Sequence, residues 1–142
     1  MELFISKSVE ETEEFAAQFS RGLEPGEAIA LCGELGSGKT AFVRGLFAGL
    51  GPESAVQVTS PTFTLLHEYP TQRGKLSHLD LYRLGSYREF YEAGLVESVD
   101  GKGITVVEWG DKFPELLAIF QYRVSMKIAG ENERKIVVDK LK

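Results

Sequence analysis

The stretch that decides the fold is Gly33-Glu34-Leu35-Gly36-Ser37-Gly38-Lys39-Thr40, which matches the pattern G-x-x-x-x-G-K-[ST] at every position. An apolar run of strand length, Ala28–Cys32, comes directly before it. An amphipathic segment, Lys39–Leu50, follows it and ends at a Gly-Pro pair. A buried strand, a glycine-rich loop and a helix in this order predict a phosphate-binding loop at the carboxyl end of the strand.

Each residue type in this loop has a physical role in holding phosphate. Glycines allow positive φ and bring backbone N–H groups close to phosphate oxygens. Lys39 supplies a cation for the β- and γ-phosphates, and the Thr40 hydroxyl is a ligand for Mg²⁺. The guanine-reading pattern N-K-x-D is absent from the sequence, which favours ATP with Mg²⁺ as the cofactors. The predicted nucleotide-binding residues of the loop are Gly33, Glu34, Leu35, Gly36, Ser37, Gly38, Lys39, Thr40 and Ala41.

Length and composition are typical of an ordinary soluble domain. The chain has 142 residues, of which 43% are hydrophobic and 26% are charged, so it can bury a core of its own. We expect one P-loop ATPase domain over residues 1–142. The sequence has neither a long apolar run nor a secretory signal pattern, which predicts no membrane association. A net charge of −5 disfavours direct nucleic-acid binding, and the single cysteine favours a cytoplasmic location.

Hydrophobic periodicity and turn residues predict the element order β-α-β-α-β-β-α-β-α-β-β. Ser8 with Glu11, and Ser86 with Glu89, have the spacing of capping boxes and mark the starts of two helices. The other two helices are predicted at residues 39–50 and 111–117, and the strands at residues 3–6, 28–32, 63–69, 75–82, 104–107, 122–129 and 135–138. The order predicts an α/β, P-loop NTPase-like three-layer domain with a mixed, mainly parallel sheet plus antiparallel strands.

Two acidic residues are candidates for metal binding and catalysis. Glu108 directly follows a buried-type strand, where a carboxylate for nucleotide-bound Mg²⁺ is expected. Asp80 lies in a segment whose alternation places it on one face with His78 and Tyr82. Spacing favours Glu108 over Asp80 as the metal-side carboxylate. Both remain catalytic candidates together with Lys39.

A hydroxyl-rich segment, Val-Thr-Ser-Pro-Thr-Phe-Thr, occupies residues 58–64. Serine and threonine beside a proline are common in a turn that enters a strand. A threonine-rich loop after the first helix of a nucleotide-hydrolysing domain is also where the γ-phosphate is usually sensed. The residues alone leave both interpretations open.

Taken in order, these segments resemble the TsaE (YjeE) family, small bacterial ATPases needed to make threonylcarbamoyladenosine in tRNA. The resemblance covers residues 8–117 and rests on GELGSGKT at 33–40, TSPTFTLLHEY at 59–69, HLDLYRL at 78–84 and VEWGD at 107–111. Many NTPases share the first segment, whereas the other three in this order are specific. One departure is Ala41, where many relatives carry a second threonine.

The resemblance implies a P-loop-type fold in which Thr40 and Glu108 hold Mg²⁺ and Asp80 lies near the metal or the attacking water. It implies that residues 59–64, with Thr62, form a switch that closes over the γ-phosphate, and that Trp109 lies beside the nucleotide. The implied partners are TsaD and TsaB, a heterodimer that performs the threonylcarbamoyl transfer. The chain would then contact tRNA only indirectly.

Three functions are compatible with the sequence. The first is a Mg-dependent ATPase that is weak alone and stimulated by its partners, because nothing in the sequence orients Arg44, Arg83 or Arg88 as an arginine finger. The second is a small-molecule kinase, for which residues 82–92 would have to form the arginine-bearing lid. The third is a nucleotide-binding scaffold that does not hydrolyse. We expect the first.

Overall fold

A seven-stranded sheet forms the centre of the computed structural model, which describes residues 1–99 and 101–142. In space the strands follow the order β1-β7-β6-β2-β5-β4-β3. The strands are β1 Glu2–Ser6, β2 Ala28–Cys32, β3 Leu66–Thr71, β4 Gly74–Asp80, β5 Ile104–Glu108, β6 Tyr122–Ile128 and β7 Arg134–Lys140.

The sheet is mixed, as predicted, but it is not mainly parallel. Three of the pairings between the described strands are parallel (β2 with β5, β2 with β6, β4 with β5) and three are antiparallel. The balance is even because hairpins extend both edges: β3 pairs with β4 at one edge, and β7 joins β6 and β1 at the other. The parallel strands that carry the site therefore lie in the middle.

Helices cover both faces of the sheet, which confirms the three-layer architecture. Helices α1 (Val9–Arg21) and α2 (Lys39–Leu50) pack on one face, and helix α3 (Tyr87–Glu92) packs on the other with two short 3₁₀ helices. The helix predicted at residues 111–117 is one of these, a 3₁₀ helix at Pro114–Ile119, because the chain turns before Pro114 and the proline begins the helix. No helix among the described residues is long and apolar enough to cross a membrane.

Helices α1 and α2 cross at very close range because α2 presents glycine to α1. A Cβ at Gly45 would collide with the backbone of Glu13, and a Cβ at Gly49 would collide with Ser20. On the side toward the sheet, Phe42 and Leu46 of α2 are fully buried. The position of α2, and of the loop that leads into it, is therefore fixed by packing on two sides.

The predicted hairpin at residues 63–69 and 75–82 is present but shorter at both outer ends. Leu65 has a left-handed backbone with φ 70°, and its N–H donates to the Pro61 carbonyl at 2.6 Å, so residues 61–65 form a tight turn instead of a strand. At the other end Asp80 closes β4, because its carboxylate accepts the Tyr82 N–H at 2.9 Å and the chain bends there.

Candidate nucleotide-binding site

The loop at residues 33–38 leaves β2 at its carboxyl end and leads directly into α2. Gly38 is the N-cap and has φ 100°, a conformation that residues with a Cβ adopt only at a cost. Within the described part of the chain, no side chain caps this helix and its first turn contains no acidic residue. The first N–H groups of α2 and its dipole therefore favour an anion.

Lys39, the first residue of α2, is a buried cation with only 6% of its surface exposed. Its Nζ donates to the Gly33 carbonyl, lies 4.0 Å from Glu108 Oε1 and lies 4.3 Å from the centre of the Trp109 ring. Burial lowers the pKa of Lys39 below its usual 10.5, and the attraction of Glu108 and Asp80 opposes this shift. A desolvated ammonium beside the loop is a strong attraction for a polyanion.

Glu108 ends β5 and is, among the described carboxylates, the one that forms an ion pair with that ammonium. It is 4% exposed, and its two oxygens have different neighbours. Oε1 faces Lys39 Nζ, whereas Oε2 lies 2.6 Å from Nε2 of His78, a fully buried residue of β4. The structure places Glu108 at the end of β5, where the parallel register sets it opposite Leu31 of β2, close to the start of the loop.

Asp80 ends the neighbouring strand β4 and is opposite Glu108 in the register. It is 2% exposed, and both of its carboxylate oxygens accept hydrogen bonds. Oδ1 accepts from the Tyr82 N–H, and Oδ2 accepts from the Thr62 hydroxyl at 2.7 Å. The Thr62 hydroxyl is also 2.8 Å from the Ser60 hydroxyl, so Asp80 holds the hydroxyl-rich loop against the strand end.

Trp109 follows Glu108 in a left-handed conformation, with φ 61°. Positive φ is uncommon for a residue with a large side chain, and such strain concentrates at functional sites. The backbone N–H of Trp109 donates to the Leu31 carbonyl at 3.0 Å, and this hydrogen bond links Trp109 to the strand before the loop. The indole ring packs against Tyr82 at 5.3 Å between ring centres and contacts the Lys39 ammonium. Trp109 thus forms a wall next to the buried cation.

One cavity of about 480 Å³ collects most of these groups. The sequence-predicted residues that line it are Leu35, Gly36, Gly38, Lys39, Thr40, Ala41, Thr62, Asp80, Glu108 and Trp109. Three predicted loop residues lie elsewhere. Ser37 is fully buried, and Gly33 and Glu34 line a separate groove beside Cys32 and Asp111. Gly33 still contacts the cavity indirectly, through the bond from Lys39 to its carbonyl.

Val9 and Arg134 also line the cavity and were missed by sequence reasoning. Val9 is the first residue of α1, and Arg134 is the first residue of β7. Neither belongs to a motif. The crossing of α1 over α2 brings Val9 to the site, and the sheet order brings Arg134, so no local pattern could have found them.

The three arginines considered as an internal finger have different surroundings. Arg44 lines the cavity, but its Nε donates to Glu13 of α1 at 2.8 Å. Arg83 lies over the Phe63 ring at 5.0 Å, and Arg88 pairs with Glu92 on the surface of α3. Leu84 and Phe90 anchor residues 82–92 to the core, while most of the other side chains in this segment are exposed.

Thr40, Asp80 and Glu108 line the same cavity and are a fitting donor set for Mg²⁺. Among the described residues, no three His, Cys, Asp or Glu side chains are arranged to hold a metal by themselves. Nucleotide-bound Mg²⁺ does not require such a cluster, because phosphate oxygens and water complete its shell beside one or two carboxylates. Three oxygen donors next to a phosphate-binding loop meet that requirement.

Comparison with known proteins assigns this chain to a family. The family model described as "Threonylcarbamoyl adenosine biosynthesis protein TsaE" matches residues 6–136. Proteins named "tRNA threonylcarbamoyladenosine biosynthesis protein TsaE" are similar to this chain in Treponema pallidum (38% identity, covering 94% of this chain and 97% of the relative) and Aquifex aeolicus (39%, covering 93% and 91%). The relative of the same name in Bacillus subtilis is 38% identical, and the match covers 89% of this chain and 78% of the relative's length.

A solved structure titled "Crystal structure of Bacillus subtilus YdiB" has the same fold. It matches with a TM-score of 0.72 at 30% sequence identity, covering 99% of this chain and 86% of that chain. The resemblance inferred from the motifs is therefore confirmed by sequence and by structure. The chain belongs to the TsaE family of tRNA threonylcarbamoyladenosine biosynthesis.

Proposed function

We propose that the chain binds ATP with Mg²⁺ and hydrolyses it in a complex with TsaD and TsaB, which drives their threonylcarbamoyl-transfer cycle on tRNA. The observation that carries the proposal is the cavity at the uncapped start of α2, where a buried cation lies beside two buried carboxylates. A site for an inert anion would not need the carboxylates. Their presence beside the loop supports an anion that arrives with a metal ion.

The phosphates would be held by the start of α2 and by Lys39. The Lys39 ammonium already has one acceptor in the Gly33 carbonyl, and an ammonium can donate three hydrogen bonds. Phosphate oxygens would accept hydrogen bonds from the remaining ammonium protons and from the first backbone N–H groups of the helix. Lys39 therefore binds the β- and γ-phosphates and partly neutralises their charge.

The two carboxylates would have different roles because their oxygens are engaged differently. Both oxygens of Asp80 accept hydrogen bonds, one of them from the Thr62 hydroxyl in the hydroxyl-rich loop at residues 59–64, the candidate switch. Glu108 keeps Oε1 on the side of Lys39. This supports Glu108, with the Thr40 hydroxyl, as the metal-side group and Asp80 as the group that positions the switch or the attacking water. Bound Mg²⁺ would supply charge neutralisation at the phosphates.

The nucleoside would extend into a second groove of about 420 Å³. This groove shares Val9, Gly38, Ala41 and Arg134 with the main cavity, so the two are continuous along the start of α2. A triphosphate alone would not use the groove. Arg134→Ala should therefore weaken ATP binding more than it weakens binding of inorganic tripolyphosphate, as measured by calorimetry.

The arginines that line the cavity support dependence on a partner. Arg44 is paired with Glu13, and Arg134 donates to the carbonyls of Gly130 and Glu133. Both are engaged within the chain, so the charge stabilisation that an arginine finger gives, on the order of 10³–10⁵ in rate, is expected from TsaD or TsaB.

Phosphate release from ATP with Mg²⁺, measured with and without purified TsaB–TsaD, tests the proposal. We expect slow release by the chain alone and a rate at least about tenfold higher in the complex. Equal rates in both conditions would refute partner stimulation. Transfer of phosphate to a small acceptor instead of water would indicate a kinase, and ATP binding without any release would indicate a scaffold.

A further inference from the structure

His78 is a fully buried polar residue in contact with the proposed metal-side carboxylate. It lies in β4, two residues before Asp80, and its neighbour in β5 is Val106. Its Nε2 is 2.6 Å from Glu108 Oε2. Its Nδ1 is buried and has no hydrogen-bond partner within the part of the chain that the structure describes.

The contact between His78 and Glu108 has a defined direction. An ionised carboxylate only accepts hydrogen bonds, so the proton lies on Nε2 of His78 and is donated to Glu108. Among the described residues, Glu108 is the only group that forms a polar contact with the ring.

We infer that His78 is a positioning residue, which fixes Glu108 so that one carboxylate oxygen remains directed at the metal position. The inference rests on the proposed function. The backbone of Glu108 is held by strand pairing on both sides, to Leu31 and Asp80. Strand pairing does not fix a glutamate side chain, which has three rotatable bonds. The His78 contact holds Oε2 on the β4 side and leaves Oε1 beside Lys39.

A purely structural role for His78 would have a different consequence. If the ring only satisfied a buried carboxylate, its loss would lower stability, and metal binding would change only as much as in any equally destabilised variant. If the ring positions Glu108, its loss weakens metal affinity specifically. Residues that orient metal ligands typically contribute about 10–100-fold to metal affinity.

The test compares four variants of the full chain. His78→Gln keeps an N–H donor that can reach Glu108, whereas His78→Leu has similar bulk and no donor. In His78→Asn the side chain is polar but too short to reach Glu108. If His78→Leu does not fold, His78→Asn replaces it as the variant without a donor to Glu108 and is compared with His78→Gln. Val106→Ala is the matched control, because Val106 is fully buried beside His78 and its side chain has no polar atom.

Two affinities are measured for each variant: Mn²⁺ for the ADP-saturated protein, from the paramagnetic resonance of free Mn²⁺, and ADP without metal, in EDTA. We expect His78→Leu and His78→Asn to weaken Mn²⁺ binding by about 10–100-fold and to change metal-free ADP affinity by less than about twofold. His78→Gln should recover Mn²⁺ affinity to within about threefold. Val106→Ala should lower the melting temperature without weakening Mn²⁺ binding.

Either of two results would overturn the inference while leaving the proposed function intact. One is Mn²⁺ affinity within about twofold of the unchanged protein in both donor-lacking variants. The other is an equal loss in Val106→Ala. A different result, in which the unchanged chain binds neither ADP nor Mn²⁺, would contradict the proposed function and the inference together.

Discussion

The starts of α1 and α2 lie on the same side of the sheet and are built in opposite ways. At α1, Ser8 is extended and its hydroxyl accepts the Glu11 N–H at 3.0 Å, while the Glu11 carboxylate accepts the Lys7 N–H at 2.8 Å. At α2, the N-cap is a left-handed glycine, no side chain caps the first turn among the described residues, and the first residue is the buried Lys39.

The chain caps the start of α1 with its own side chains, whereas it leaves the start of α2 uncapped and open to a ligand. At α1 the chain supplies its own acceptors and its own negative charge, in Glu10 and Glu11. At α2 it supplies backbone donors and the positive charge of Lys39, and the first turn carries no acidic residue. A helix start of the second kind costs stability unless something negative binds there. Substitutions at the start of α2 should therefore weaken phosphate binding, whereas substitutions in the capping box of α1 should mainly lower stability.

The largest expected effect is the loss of nucleotide binding in Lys39→Ala. Removing one partner of a desolvated charge pair costs about 2–5 kcal/mol, which corresponds to roughly 30-fold to several-thousand-fold in affinity. Calorimetry with ADP and Mg²⁺ measures the change directly. Lys140→Ala, an exposed lysine at the far end of β7 that lines neither the cavity nor the second groove, is the matched control and should leave the affinity unchanged. Affinity of Lys39→Ala within about twofold of the unchanged chain would contradict the role given to this cation.

Gly38→Ala should have the next largest effect. A Cβ in the left-handed region costs about 1–2 kcal/mol, and here it would also lie 3.2 Å from Met126 Cε. We expect a corresponding loss of unfolding free energy in urea and weaker nucleotide binding, because the loop must shift. Gly22→Ala at the end of α1 is the control, since Gly22 has φ −90° and the added Cβ would make an ordinary contact of 3.7 Å. Equal stability of the two variants would show that the strained start of α2 is not required.

Glu11→Ala should have a smaller effect, confined to stability. It removes one hydrogen-bond acceptor and one negative charge from the start of α1, which together contribute about 0.3–1 kcal/mol. Urea unfolding should therefore show a loss of about this size, and ADP affinity should stay within about twofold. A loss of ADP affinity without a loss of stability would mean that the two helix starts are not functionally distinct.

The smallest expected effect is on the chemical reactivity of the thiol of Cys32, the last residue of β2. Burial, with a further contribution from Asp111, raises the pKa of the Cys32 thiol from its usual 9.0 to about 12. The native protein should therefore hardly react with iodoacetamide at pH 8–9, whereas the urea-unfolded chain should react readily. The raised pKa stabilises the fold below pH 9, and this contribution is lost as the pH rises from about 9 toward 12. Mass spectrometry measures the reaction, and rapid native labelling would contradict the burial of this strand end.

The sequence was most informative where the site is local in the chain. The loop, Lys39 and the position of Glu108 at a strand end could be predicted because consecutive residues encode them. The capping boxes at α1 and α3 were also found, although each glutamate accepts the N–H of the residue before the serine instead of that of the serine itself. These are short-range interactions, and short-range spacing predicts them well.

What the sequence could not predict depends on long-range packing. Arg134 reaches the cavity only because β7 returns beside β6, and Val9 only because glycines let α1 cross closely over α2. The strand predicted to begin at residue 63 begins at Leu66, because Leu65 adopts a left-handed turn conformation that no glycine or asparagine marks in the sequence. The contact between His78 and Glu108 required the register of two parallel strands, which alternation along one strand does not give.

The most direct test of the account is the release of γ-phosphate from ATP in the presence of TsaB–TsaD, with and without Mg²⁺, by the unchanged chain and by Glu108→Gln. We predict release that requires Mg²⁺ and that falls by at least about 100-fold in the variant, because the metal-side carboxylate is lost. Release at an unchanged rate in Glu108→Gln, or no release by the unchanged chain in either condition, would contradict the account.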